Sequence, residues 1–232
     1  MSSILIQNAT IINEGRSFRG DIFVTNEIIS AIGSPGQIRS KSETKIIDAT
    51  GLLLIPGVID DQVHFREPGL THKGDIFSES GAAAAGGITS FMDMPNTIPQ
   101  TITVKDLDEK YLLGSEKSII NYSFNIGATN DNLREIMKVN PSEVCGIKLF
   151  MGSSTGNMLV DNEKALRELF KHALLPVSAH CEDEQTIRKN IQYYRQKYGE
   201  DIPVKLHPLI RSREACFLSS SHAVDLAKEY NT

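Results

Sequence analysis

The 232-residue sequence has no tryptophan and only three cysteines, and no apolar run in it reaches the roughly 18 residues of a membrane-spanning helix. Cys145, Cys181 and Cys216 are odd in number and widely spaced, with no Cys-x-x-Cys pair. That argues against a disulfide framework and against a thiolate zinc site. The opening MSSILIQNAT has no charged region followed by a long apolar stretch, so no secretion signal is read there. Charge of one sign is never concentrated: the net charge is −5, and no block of five like charges occurs. Surfaces for nucleic acid or acidic membrane need clustered lysine and arginine, and those partners are not expected. A small anionic substrate remains open, because one arginine in a pocket can serve it. With 40% hydrophobic and 23% charged residues, the expectation is a soluble, cytoplasmic globular protein.

Residues 1–52 read as a small β module. ILIQNATII, DIFVTNEIISAIG and TKIIDATGLLL are rich in β-branched residues and are punctuated by Gly15, Gly33, Pro35 and Gly51. From residue 53 the rhythm becomes strand, loop, helix. Strands are expected over 53–65, 88–95, 119–128, 144–152 and 175–181. Helices are expected over 75–86, 104–117, 131–139, 162–172, 183–198 and 211–229, with Asn130 and Asp161 as N-caps. Alternation of this kind predicts an α/β fold with a parallel sheet. Five βα units fit either an open five-stranded sheet or a partial (β/α)8 TIM-type barrel, which needs eight units and about 250 residues when complete.

Chemically capable residues gather at the predicted strand ends, the ligand face of parallel α/β folds. In IDDQVHFREPG, residues two apart in a strand share a face, so Gln62, His64 and Arg66 are expected to point together. An imidazole and a guanidinium sharing one space suit a metal beside an anionic ligand. Asn96 follows the second strand in MPNT, where a turn residue is the plain alternative. Lys148 stands inside the apolar CGIKLFMG, and burying an ammonium requires a partner or a function. It is a candidate nucleophile or base, or a lysine carboxylated by carbon dioxide. His180 closes PVSAHCED and is a candidate ligand. His172 and His222 fall in helices, His72 and His207 in loops, and none of these is assigned a role. GSSTGN, residues 152–157, lacks the ending of a phosphate loop and reads as a mobile loop beside the site.

Taken in order, LIPGVIDDQVHFREPG, AAAAGGITSFMDMPNT, GIKLFMG and VSAHCED resemble the cyclic amidohydrolases, and among them the dihydroorotase family. IIDATGLLLIPGVID also matches the passage from a β module into the barrel. The resemblance covers nearly the whole chain. It implies residues 1–52 as part of a composite β sandwich and 53–232 as an incomplete (β/α)8 metal-dependent hydrolase barrel. It further implies one or two Zn²⁺ ions, with His64, Lys148 (carboxylated) and His180 as ligands. The implied reaction is interconversion of dihydroorotate and N-carbamoyl-L-aspartate in pyrimidine biosynthesis, with Arg66 and Asn96 meeting the ring carboxylate. Relatives acting on uncharged rings, dihydropyrimidinase, hydantoinase and allantoinase, lack that combination.

Two departures accompany the resemblance. The family pattern is His-x-His where this chain has Gln62-Val63-His64, and an amide oxygen binds zinc more weakly than imidazole. That puts a second metal in question and raises a rival reading, a non-catalytic subunit that holds a partner such as aspartate carbamoyltransferase. The family also expects three further strands, another histidine ligand and a catalytic aspartate, and none has a match here. The expectation is an N-terminal half, inactive and poorly stable alone. Family members commonly form homodimers.

Overall fold

Isoleucine, valine and threonine alternate with polar residues through the first fifty positions, and they fold as strands. The computed structural model describes residues 2–40, 42–152 and 156–232. It divides into two units, Met1–Gly57 and Val58–Thr232. In the first, β1 (Ser3–Asn13), β2 (Arg16–Thr25) and β3 (Ile28–Gly33) form an antiparallel meander. The strands β4 (Lys45–Asp48) and β5 (Leu53–Leu54) run parallel to β1 and pair with it. The single strand expected over 21–33 is two strands, separated by a turn in which Asn26 takes a φ of 54°. Asparagine tolerates that left-handed conformation better than most residues. A bulge between Ile6 and Ala9 leaves Asn8 at a φ of 63°. The buried Asp21 carboxylate accepts the Asn8 amide at 2.8 Å and the Gly36 amide at 2.7 Å, so its charge is matched by backbone. Ala9, Ile11, Ile22 and Ala49 form the small core of this sheet.

In the second unit, β6 (Val58–Val63), β7 (Ile88–Asp93), β8 (Asn121–Gly127), β9 (Gly146–Phe150) and β10 (Val177–His180) lie side by side in chain order, all parallel. Helices α1 (Ile76–Ala85), α2 (Val104–Lys117), α3 (Leu133–Ile136) and α4 (Glu163–His172) make the four returns, and α5 (Glu184–Tyr198) follows β10. The short α6 (His207–Ile210) and the long α7 (Arg213–Tyr230) follow. The result is a curled, five-stranded half-barrel of the TIM type. Phe91 and Phe124 in the strands, with Phe65 just beyond β6, build the aromatic centre of its core. The Phe65 and Phe91 rings are 4.3 Å apart, and Tyr111 of α2 meets Phe124 edge-on at 5.0 Å.

Several expectations shift. The run 53–65 divides, its first residues pairing with β1 and Val58–Val63 opening the parallel sheet. The helix expected over 131–139 is a single turn, because Lys138 and Val139 bond three residues back and Asn140-Pro141 follows. His207 begins α6 instead of lying in a loop. The N-caps are Asn132 and Asn162. Asn162 accepts the Lys164 and Ala165 amides at 3.0 and 3.2 Å, whereas Asn130 and Asp161 bond each other at 3.0 Å. Asn132 makes no capping bond; its side chain ties Thr129, Ile102 and Gly127 together. Three residues of the 152–157 loop, 153–155, lie outside the described residues.

Candidate active site

Strand β6 does not keep the alternation its sequence invites. Asp60 pairs with Phe91 and Val63 with Asp93, so three steps on β6 oppose two on β7. The extra residue makes a bulge at Asp61-Gln62, just before His64 and Arg66. Gln62 is exposed, while His64 lies beyond the strand end and is half-buried. Arg66 takes a φ of 69°, which turns the chain directly after Phe65. Gly69, at a φ of 81°, closes the turn where a Cβ would overlap the Ile98 carbonyl.

The imidazole of His64 is oriented by Asn96, whose Oδ1 lies 2.8 Å from Nδ1. An amide oxygen only accepts, so Nδ1 carries the proton and Nε2 keeps its lone pair. Burial, and then the Arg66 guanidinium, hold His64 below the usual imidazole range. It is therefore the neutral ring that faces the strand ends at pH 7. Asn96, expected to serve the substrate, first serves His64; its amide nitrogen is the group left over. Among the described residues the Arg66 guanidinium makes no ion pair or hydrogen bond.

Lys148 is 3% exposed in the centre of β9. Burial pulls its ammonium below the usual lysine range. Among the described residues no carboxylate lies within ion-pair distance of it; Nζ lies over the Phe150 ring, 5.1 Å from its centre. The His180 ring lies 6.1 Å from the other participant, Phe150, at the end of β10. Lys148, on the fourth strand of the sheet, adds a small push in the same direction on His64 after burial and Arg66.

His180 is anchored at the opposite nitrogen. Its Nε2 lies 2.7 Å from Glu182 Oε2, which leaves Nδ1 free. Glu182 in turn accepts Arg211 Nε at 2.7 Å and a second bond from the same guanidinium. This two-pronged contact holds the Glu182 carboxyl at about 2. Gly152 makes the close approach possible, since a Cβ there would overlap the Glu182 carbonyl. Glu182 and Arg211 were not singled out as site residues by sequence. Nor were Asp93 and Lys110, a buried pair 2.7 Å apart behind the His64 turn. The signal for Lys110 was present: Leu107, Lys110 and Gly114 are the buried positions of α2, at helical spacing.

No three His, Cys, Asp or Glu side chains among the described residues converge to hold a metal alone. A metal here therefore depends on Lys148 as a donor beside His64 and His180. The chemistry fits that demand: two imidazoles with one nitrogen tied and one free, and a buried amine with no acid beside it. The best-defined clefts of this unit lie elsewhere. One of about 380 Å³ between α3 and α4, lined by Asn130, Arg134 and Lys164, contains none of these groups. The strand-end face is preferred because His64 follows β6, Asn96 follows β7 and His180 closes β10 at that face.

No family model matches the chain. Among curated proteins it is 35% identical over 213 residues to a dihydroorotase of Methanosarcina acetivorans, covering 90% of this chain and 44% of that protein. It is 30% identical to an allantoinase of Deinococcus radiodurans, over 91% of this chain and 48% of that one. Among solved structures, the L-hydantoinase (dihydropyrimidinase) of Arthrobacter aurescens superposes with a TM-score of 0.92 at 25% identity, over 99% of this chain and 51% of the other. The chain thus spans about half the length of the relatives it matches. In sequence and in fold, the chain is a homologue of the cyclic amidohydrolases, dihydroorotases among them, over about half of their length.

Proposed function

We propose that the protein acts as a dihydroorotase, interconverting dihydroorotate and N-carbamoyl-L-aspartate. The observation that carries this reading is Arg66, a half-buried guanidinium without an acid among the described residues, set beside the His64–Asn96 pair. Dihydroorotate differs from dihydrouracil, hydantoins and allantoin by a ring carboxylate. A guanidinium meets a carboxylate with two parallel charge-assisted bonds, and Asn96 Nδ2 supplies another donor. Uncharged rings leave Arg66 unpaired, at a cost in binding.

His64 through Nε2, His180 through Nδ1 and Lys148 are the residues that would hold zinc. Lys148 suits the task as a carbamate: a neutral amine adds carbon dioxide, loses a proton and presents two anionic oxygens. Burial favours the neutral amine that this addition needs. Bound zinc would lower the pKa of water and polarise the ring carbonyl. The residues of this chain orient the substrate: Arg66 fixes the carboxylate end, and Asn96 couples that end to His64 through the 2.8 Å bond.

A second reading is favoured by Gln62, which is exposed in the β6 bulge at the position where the family resemblance expects a histidine. On that reading the protein is a non-catalytic subunit that holds a pyrimidine-pathway partner such as aspartate carbamoyltransferase. The test is hydrolysis by the complete reading frame with zinc supplied, on dihydroorotate, dihydrouracil and allantoin in parallel. Turnover confined to dihydroorotate is the expected result. Folded protein silent on all three, and purifying without zinc, would establish the scaffold.

A further inference from the structure

The segment after β7 grips His64 at three points. Met94 N donates to Val63 O at 3.0 Å, Asp93 Oδ1 accepts Phe65 N at 2.9 Å, and Asn96 Oδ1 accepts His64 Nδ1 at 2.8 Å. The peptide groups on either side of His64 and its ring are thus fixed by three residues, Asp93, Met94 and Asn96, of the neighbouring strand end. That segment is itself fixed from below. Lys110 Nζ, on α2, lies 2.7 Å from Asp93 Oδ2 and donates to Met94 O at 2.8 Å. Asn125 of β8 donates to Asp93 O at 3.3 Å.

Lys110 and Asp93 side chains are 0% and 1% exposed. Burying such a pair is a poor route to stability, because desolvation offsets the attraction, and apolar replacements of similar volume are often neutral. What the pair supplies instead is geometry. Lys110 holds one carboxylate oxygen and the next carbonyl, which aims the other oxygen at Phe65 N. We propose that Asp93 and Lys110 are positioning residues for the His64–Arg66 turn, fixing His64 as the Nδ1–H tautomer with Nε2 facing the reaction space and setting Arg66 beside it. The proposal rests on the dihydroorotase reading for its substrate, and on the bonds above for its geometry.

Two double variants separate positioning from packing. Asp93→Asn with Lys110→Met removes both charges and keeps an oxygen for Phe65 N. Asp93→Leu with Lys110→Met removes both charges and that acceptor. Both are compared with the wild-type protein by thermal unfolding, amide exchange at Phe65 and 15N spectra of the His64 ring. The Asn/Met protein is expected to keep the Nδ1–H tautomer and to protect Phe65 as the wild type does. The Leu/Met protein is expected to unfold at a similar temperature, yet to exchange Phe65 about tenfold faster and to populate the Nε2–H tautomer. Its kcat on dihydroorotate should fall more than its thermal stability explains.

A Leu/Met protein with unchanged Phe65 protection and tautomer would overturn the proposal. If that variant does not fold, the wild-type spectrum decides: an Nε2–H ring overturns the proposal and an Nδ1–H ring supports it. Silence on all three substrates with the expected ring and exchange pattern would sink the dihydroorotase reading alone. Turnover of dihydroorotate without that pattern would sink the positioning proposal alone.

Discussion

Two ion pairs stand behind the two strand-end histidines, and they differ in their access to water. Asp93 and Lys110, behind His64, have side chains 1% and 0% exposed; Glu182 and Arg211, behind His180, are 14% and 34% exposed. The first pair acts through the backbone, gripping the peptide after His64. The second touches the ring itself. A pair sealed from solvent has no substitute for a lost partner, so breaking it disturbs the fold. One at the surface can exchange a partner for water, so its loss changes orientation and pH response more than stability.

Breaking the sealed pair on one side should give the largest effect. Lys110→Met leaves Asp93 buried without its cation, and removing one partner of such a pair costs about 3–5 kcal/mol. Burial pulls the Lys110 ammonium below the usual lysine range and Asp93 opposes that pull, so Lys110 is not indifferent to its partner. Urea denaturation of the Met variant and of the charge-free Asn/Met double variant measures the difference. The single variant should be the less stable of the two, although it carries fewer substitutions. Equal losses would show that the pair acts only through its volume.

Much of this architecture was legible in the sequence, because alternation and helical spacing are local signals. The five parallel strands and the helices α1, α2, α4, α5 and α7 fall where periodicity puts them. Lys148 lies inside its strand, His180 closes one, and Asn96 follows one, as expected. What failed depended on pairing between distant segments. The bulge at Asp61-Gln62 exists only against β7, and nothing in IDDQVHF announces it. The bond from His64 to Asn96 spans 32 residues, and that from Glu182 to Arg211 spans 29. Caps moved by one or two residues because asparagine and aspartate side by side offer the same chemistry at each position.

The approach of the β9 turn to Glu182 offers an intermediate perturbation. Gly152→Ala places a methyl group against the Glu182 carbonyl, which is backbone and cannot swing aside. The cost of such overpacking is about 1–3 kcal/mol. The displacement should travel to His180 rather than to His64, since the two rings have separate anchors. Ring spectra of both histidines check this: a shift at His180 with His64 unmoved is expected. Equal movement of both would mean that the two anchors are not independent.

The smallest effect on stability should come from Arg211→Ala, and its signature is pH dependence. The Arg211 guanidinium, ahead of the His180 contact, holds the Glu182 carboxyl at about 2, below its ordinary 4.5. A carboxyl whose folded value is depressed adds stability that is fully present above the unfolded value and is lost as pH falls through the folded one. For Glu182 that window runs from about 4.5 down to about 2. Without Arg211 the folded value should rise towards 4.5 and the window should narrow from below. Acid unfolding with a chelator present, so that no metal ties the His180 ring, compares the two proteins. Their difference should be largest near pH 7, though modest because Arg211 is partly solvated, and should vanish as pH falls towards about 2. Between the two values the wild-type curve should be the steeper. Parallel curves would assign the hold on Glu182 to His180 instead, and would make the two histidine anchors more alike than their burial implies.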